Sequence, residues 1–218
     1  MIGVIINKIP FNVPTSWYDV TYSQWQQIQN EKDELKILSV ITNIPINLIE
    51  HFTTNQLNKV ATLLLFMQTP IDLNAIDKPI NPIDIKRCSW GKKIECEQLL
   101  KNNPNDIDGI IKCYELDIEQ PIVEVYSMVL DIIEQLKAII EREATELNVE
   151  QTREQVAAGS SMYEEFGVMN TIRSVAQGNI LNYDKVLEIE YNVIFMYLKM
   201  AKTDTIFQTN YQKAISKK

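Results

Sequence analysis

The sequence predicts a mainly α-helical protein: a multi-helix bundle with a small β-hairpin element in the middle and an extended N-terminal arm or strand. Three observations carry this. Apolar residues recur at helical spacing through most of the 218 residues, and helix-capping patterns stand directly before several of those runs. Prolines and β-branched residues instead collect in two short stretches, at residues 2–14 and 70–95. The chain is 45% hydrophobic and 23% charged, which is enough apolar material for a proper core. Six glycines and eight prolines leave little room for long disordered tracts.

The elements follow in order. Residues 2–7, Ile-Gly-Val-Ile-Ile-Asn, are short and β-branched and predict a strand or arm, stopped by Pro10 and Pro14. Thr21 with Gln24 is a capping box that opens a helix carrying Tyr22, Trp25 and Ile28. A helix over about 33–42 follows, with Leu35, Leu38 and Ile41 on one side, and Pro45 suits the first turn of a short helix through His51. Thr54 is the expected cap of the next helix, whose stripe is Leu57, Val60, Ala61, Leu64 and Leu65. Pro70, Pro79 and Pro82 exclude a long helix in the next stretch. Ile80, Ile83 and Ile85, then Ser89 to Glu95 around Gly91, predict a small hairpin that must pack on something to be stable.

Helices are expected again over Glu95–Lys101 and Asp106–Leu116, then a long one after Pro121 with the stripe Val125, Val129, Ile132, Ile133, Leu136 and Ile140. Continuous to Val149, it would be about 40 Å long. Residues 148–160 predict a linker or loop. A helix over Tyr163–Ala176 ending at Gly178 precedes a last long helix, capped by Asp184 and running to about Ala201. From Tyr191 to Leu198 that last helix has almost no polar face, so it needs cover on two sides. The implied organisation is an N-terminal arm and helical unit (1–69), a small β element (70–95) and a C-terminal helical unit (96–218), which together can form one compact domain.

The net charge of −8 and a pI near 4.8 speak against general phosphate-backbone binding, so no specific nucleic-acid partner is expected. The basic end, Lys213, Lys217 and Lys218, reads as solvated. No secretory signal is expected in Met1–Val13, which is interrupted by Asn7, Lys8 and Pro10. The longest apolar runs, such as Leu63 to Met67, fall far short of the ~20 residues of a membrane span, so no membrane partner is expected. Cys88, Cys96 and Cys113 form no CxxC pair and read as free thiols.

Candidate chemistry is sparse. The single histidine, His51, would have to serve any Ser-His or Cys-His system, yet it stands at the end of a short helix where the helix dipole favours a positive charge. With the three cysteines its spacing is too irregular for a structural zinc site. Asp72, with Asp84 and Lys86, has the look of paired acids on neighbouring strands beside a lysine, an arrangement that restriction-like nucleases use to hold Mg²⁺. So short a pattern recurs by chance, and the acidic chain lacks a basic surface to hold nucleic acid. No P-loop, GxGxxG or GxSxG is present. No catalytic, cofactor-binding or metal residue is therefore assigned, and no cofactor. Trp17 and Trp25 are large anchors whose expected role is to pin the N-terminal arm to the protein's own helices.

The segment Val13 to Trp25 contains the phrase P-x-x-W-x-x-V-T-x-x-Q as Pro14, Trp17, Val20, Thr21 and Gln24, with Leu38-Ser39-Val40-Ile41-Thr42 after it. Glu165-Phe166-Gly167, Ala176-Gln177-Gly178-Asn179-Ile180 and Asp184-Lys185-Val186 stand near the end. This wording resembles small proteins coded in the structural gene blocks of tailed phages of Bacteroides and relatives, and its Asn-, Ile- and Lys-rich character suits a low-GC phage such as the crAss-like group. Such proteins are neck or tail ring components, or tail-assembly chaperones. The resemblance implies a virion protein rather than an enzyme: a homo-oligomeric ring in the neck or tail, contacting portal or tail proteins. The alternative it leaves open is a chaperone that binds tape-measure or tail-tube protein and is absent from the virion. A metal-dependent nuclease is the distant third.

Overall fold

The computed structural model describes residues 1–6, 9–148 and 153–216. Helix accounts for 68% of it, so the mainly α class holds. Two compact units organise the chain, each drawn from two stretches: Met1–Pro82 with Tyr114–Asp131, and Ile83–Cys113 with Ile132–Lys218. The boundaries fall at Pro82 and inside two helices, after Cys113 and after Asp131, whereas the turn signals suggested 1–69, 70–95 and 96–218.

In the first unit, β1 (Ile2–Ile6) and β2 (Ile9–Val13) pair antiparallel, with Ile2 opposite Val13 and Ile6 opposite Ile9. The hairpin thus lies at the N-terminal end, and Pro10, expected to stop the element, sits inside β2. A two-stranded sheet consists only of edges, which is where a strand accommodates proline. Alternation puts Ile6 and Val13 inward, against Ile44, Ile49 and Val60, with Leu38, Phe52 and Leu57 packed around them. This cover is what lets so small a sheet persist.

The helices of this unit start where local chemistry places them. Helix α1 (Tyr22–Ile28) opens on the expected capping box: the Thr21 hydroxyl accepts from the Gln24 amide at 3.1 Å, and the Thr21 amide donates to Gln24 Oε1 at 3.0 Å. Gln24 Nε2 also donates to the Val40 carbonyl at 2.8 Å, tying α1 to the end of α2 (Glu34–Thr42). The short α3 (Ile46–Ile49) follows Pro45. Helix α4 (Thr54–Leu63) is capped one residue earlier than expected, by Thr53, because Gln56 stands three residues on and completes a second capping box.

Residues 70–95 form no strand. The segment makes short 3₁₀ turns at Leu73–Ala75 and Ile85–Arg87, and Ile80 is 86% exposed. β-Branched residues alone do not make a strand: the prolines remove amide donors. Ser89 to Glu95, expected as the second half of a hairpin, is instead the start of α5 (Trp90–Asn102), with the Ser89 hydroxyl accepting from the Lys92 amide at 3.4 Å. Gly91 is there for packing rather than turning. A Cβ on it would lie 3.1 Å from the Leu187 carbonyl oxygen, so its absence permits close approach of another helix, α10 (Tyr183–Glu188).

The second unit continues with α6 (Ile107–Tyr114), whose last residue crosses the boundary, and takes the later part of α7 (Ile122–Glu146). Helix α7 is 25 residues long, and the segment from Val149 to Thr152, where the long helix was expected to end and a linker to begin, lies outside the described residues. The α7 stripe buries Val125, Val129, Ile132, Leu136 and Ile139; Ile140, expected inside, is exposed because steps of three and four residues carry the buried line to 139. Then come α8 (Arg153–Ala157), a 3₁₀ stretch over Ser160–Phe166, and α9 (Val168–Val175). The single helix expected over 163–176 is broken at Gly167, whose φ of 47° and ψ of −126° are open to glycine. The last expected helix is likewise two. Helix α10 ends at Glu188 because Ile189 turns extended, and before α11 (Tyr191–Ile215) begins the Trp90 amide bonds the Ile189 carbonyl at 2.8 Å and the Tyr191 amide the Cys88 carbonyl at 2.9 Å.

The same device recurs in the first unit. There the Tyr22 amide bonds the Gln120 carbonyl at 3.1 Å and the Ile122 amide the Val20 carbonyl at 2.8 Å. In each unit two helix starts are held side by side by a single antiparallel bridge, Thr21 with Pro121 and Ser89 with Glu190. These bonds satisfy amides that a helix start leaves without partners.

Candidate assembly surface

The base of α11 is fixed in the second unit by both packing and charge. Tyr191, Ile194 and Phe195 are buried. Lys93 is buried beneath Tyr191, its Nζ 5.2 Å from the ring centre, and it pairs with Glu143 at 2.7 Å and Glu97 at 2.8 Å. Burial pushes the Tyr191 phenol well above its usual range, so it stays neutral. The Arg142 guanidinium stacks 3.8 Å over Phe195, and Glu146 receives Arg142 at 3.0 Å and Lys199 at 2.5 Å. The hydrogen bonds from Lys199 and then Arg142 hold the Glu146 carboxyl below its ordinary value of 4.5.

Beyond this base the helix is open. Val193, Met196, Tyr197 and Met200 are exposed, although the sequence called for cover on two sides from Tyr191 to Leu198. From Thr203 to Ser216 every residue is exposed. Tyr197, Met200, Asp204, Phe207 and Tyr211 succeed one another by three or four residues, so they share one face. Phe207 and Tyr211 stack with ring centres 6.1 Å apart and present a flat aromatic pair. A free-standing helix of about 14 residues is marginal in water.

A second uncovered apolar surface lies in the same unit. Met162, Tyr163 and Phe166 of the 3₁₀ stretch and Met169 of α9 are each about half exposed or more. Arg173, one helical turn after Met169, joins Tyr163 in lining an open cleft of about 420 Å³. The sequence predicts a plain helix over Tyr163–Ala176 here, ending at Gly178. The signal that could have found this surface is its spacing: Met162, Tyr163, Phe166 and Met169 follow one another at one, three and three residues with no buried counterpart.

The residues weighed for chemistry are dispersed. His51 is exposed at the end of α3 and donates from Nδ1 to the Asn47 carbonyl at 2.7 Å. Asp84 caps the turn Ile85–Arg87 by accepting from the Lys86 amide at 3.1 Å, and it pairs with Arg87 at 3.6 Å. Asp72 precedes the turn Leu73–Ala75. Neither acid is on a strand, so the strand-borne acid pair that suggested a nuclease does not form. Among the described residues no group of three or more His, Cys, Asp or Glu side chains is placed to hold a metal. All three cysteines are free thiols. Burial pushes the Cys88 thiol up, and hydrogen bonding to Cys113 and then burial do the same more strongly at Cys96. Cys88 and Cys96, so held protonated, are poor nucleophiles, whereas the hydrogen bond with Cys96 lowers the buried Cys113 thiol.

Both tryptophans meet their own chain. Trp17 packs edge-on against Phe66 at 5.2 Å and donates to the Thr69 carbonyl at 3.0 Å, while Trp25 lies 5.4 Å from Tyr22 and 5.8 Å from Tyr126. Among the described residues no helix is long and apolar enough to cross a membrane. No protein family, no curated protein and no solved structure matches this chain.

Proposed function

We propose that this protein is a structural component of a tailed-phage virion, present in several copies in a neck or tail ring and working by contact with its own copies and with portal or tail proteins. The observation that carries the assembly part is the open face of α11, where Met200 is 64%, Phe207 61% and Tyr211 52% exposed. Contiguous exposed apolar surface of this kind marks a site of association rather than a solvated face. The resemblance of the Pro14–Gln24 phrase and of the later motifs supplies the phage part. The polar clasp at the base of α11 supports the same reading, because a helix offered to a partner must be held rigidly at its root.

Quantitative mass spectrometry of purified phage particles tests this. Recovery in fixed proportion to the portal protein is the expected result. Abundance in infected cells with absence from purified particles would replace it with the chaperone reading, in which α11 serves a transient client.

A further inference from the structure

The second unit carries two uncovered apolar surfaces that differ in shape and charge. One is convex, the α11 face of Tyr197, Met200, Phe207 and Tyr211. The other is the Met162, Tyr163, Phe166 and Met169 surface with the cleft beside it. Lys199 and Lys202 of α11 are held by Glu146, which leaves Lys213 and Asp204 farther along the helix, whereas the 3₁₀ stretch bears Glu164 and Glu165 and no base. Each surface therefore complements the other better than it complements itself. Two further charges sit at the centres. Asp204 lies between Met200 and Phe207 on the α11 face, and Arg173 lines the cleft; neither side chain has an ion-pair partner among the described residues.

A self-pairing parallel α11 would set Asp204 against Asp204, and a self-pairing cleft would set Arg173 against Arg173. One copy's α11 on the next copy's cleft instead sets acid against base. A contact between two different surfaces is heterologous, and repeated by rotation it closes a ring. We propose that the α11 face of one copy docks head-to-tail on the Met162–Met169 surface of a second copy of this chain, with Asp204 entering the cleft beside that copy's Arg173. The proposal rests on the multi-copy reading above and deepens it by naming the surfaces.

The test uses the purified full chain, with mass measured by analytical ultracentrifugation over a concentration series. Wild type is expected to self-associate. Phe207→Ser with Tyr211→Ser, and separately Met162→Ser with Phe166→Ser, are each expected to weaken this by roughly 30-fold or more. These residues are exposed, so circular dichroism should show both variants folded. Mixing the two variants should restore one contact and give a heterodimer that grows no further. Asp204→Arg and Arg173→Asp should each weaken association by about tenfold, and the double variant should recover it.

Self-association that the Met162/Phe166 variant retains would overturn the proposal in favour of a symmetric α11 pair. A wild type that stays monomeric to its solubility limit, or a double charge variant no better than the singles, would also overturn it. None of these outcomes alters whether the protein is recovered from virions, so failure of the docking and failure of the virion reading are distinguishable.

Discussion

Lys93 has 3% side-chain exposure, and Glu97, Glu143 and the Tyr191 ring all surround its ammonium group. Removing the lysine leaves Glu97 and Glu143, 15% and 26% exposed, beside one another without their counter-charge. Lys93→Met is therefore expected to cost roughly 1.5–3 kcal/mol in urea unfolding, against about 0–1 kcal/mol for a surface pair. Glu146 is more exposed and its role is visible through pH. Its carboxyl is held below 4.5 by Lys199 and Arg142, so the stability it contributes is present above that value and is lost as pH falls through the lowered one. Thermal melts should show Glu146→Gln less stable than wild type at neutral pH, with the gap narrowing as the solution is acidified below the ordinary glutamate value. A gap independent of pH would mean that packing, not charge, holds the base of α11. Lys93–Glu97 and Arg142–Glu146 stand four residues apart on one helix, a spacing a sequence shows, but Lys93–Glu143 and Lys199–Glu146 were not legible, because separations of 50 and 53 residues carry no periodic signal.

At the scale of elements, legibility followed the range of the interaction. The box of Thr21 with Gln24 and the cap of Asp33 on α2 act over three residues, and both appear as read or at the expected helix start. The β element was misplaced because β-branched content is a local preference while pairing is not. Ile80, Ile83 and Ile85 have the composition of strands, yet Ile2–Ile6 and Ile9–Val13 have the partner. The break between α10 and α11 depends on Cys88 and Trp90, about a hundred residues earlier, so the sequence read through it as one helix. Gly91 shows the same limit: it reads as a turn residue, but its lost Cβ makes room for the Leu187 carbonyl. Gly91→Leu should accordingly destabilise the protein by about 1–3 kcal/mol despite leucine's better helix propensity, measured by urea unfolding. A variant more stable than wild type would show that α5 and α10 have slack at this contact.

For the whole molecule, the sequence already indicated that the last helix lacks a polar face, and the structure adds which part is covered. Tyr191, Ile194 and Phe195 turn inward, while the line from Tyr197 to Tyr211 stays open. The second surface, around Met162 and Phe166, was hidden because its short 3₁₀ stretch has no long-period signature. A virion component working through these faces should be seen in place. Reconstruction of the neck and tail of the intact particle by electron cryomicroscopy is the most direct measurement. The expected result is a ring in which each copy of this chain lays the Tyr197–Tyr211 face of α11 against a neighbouring protein. Neck and tail density fully accounted for by other proteins, with no copy of this chain, would contradict the account.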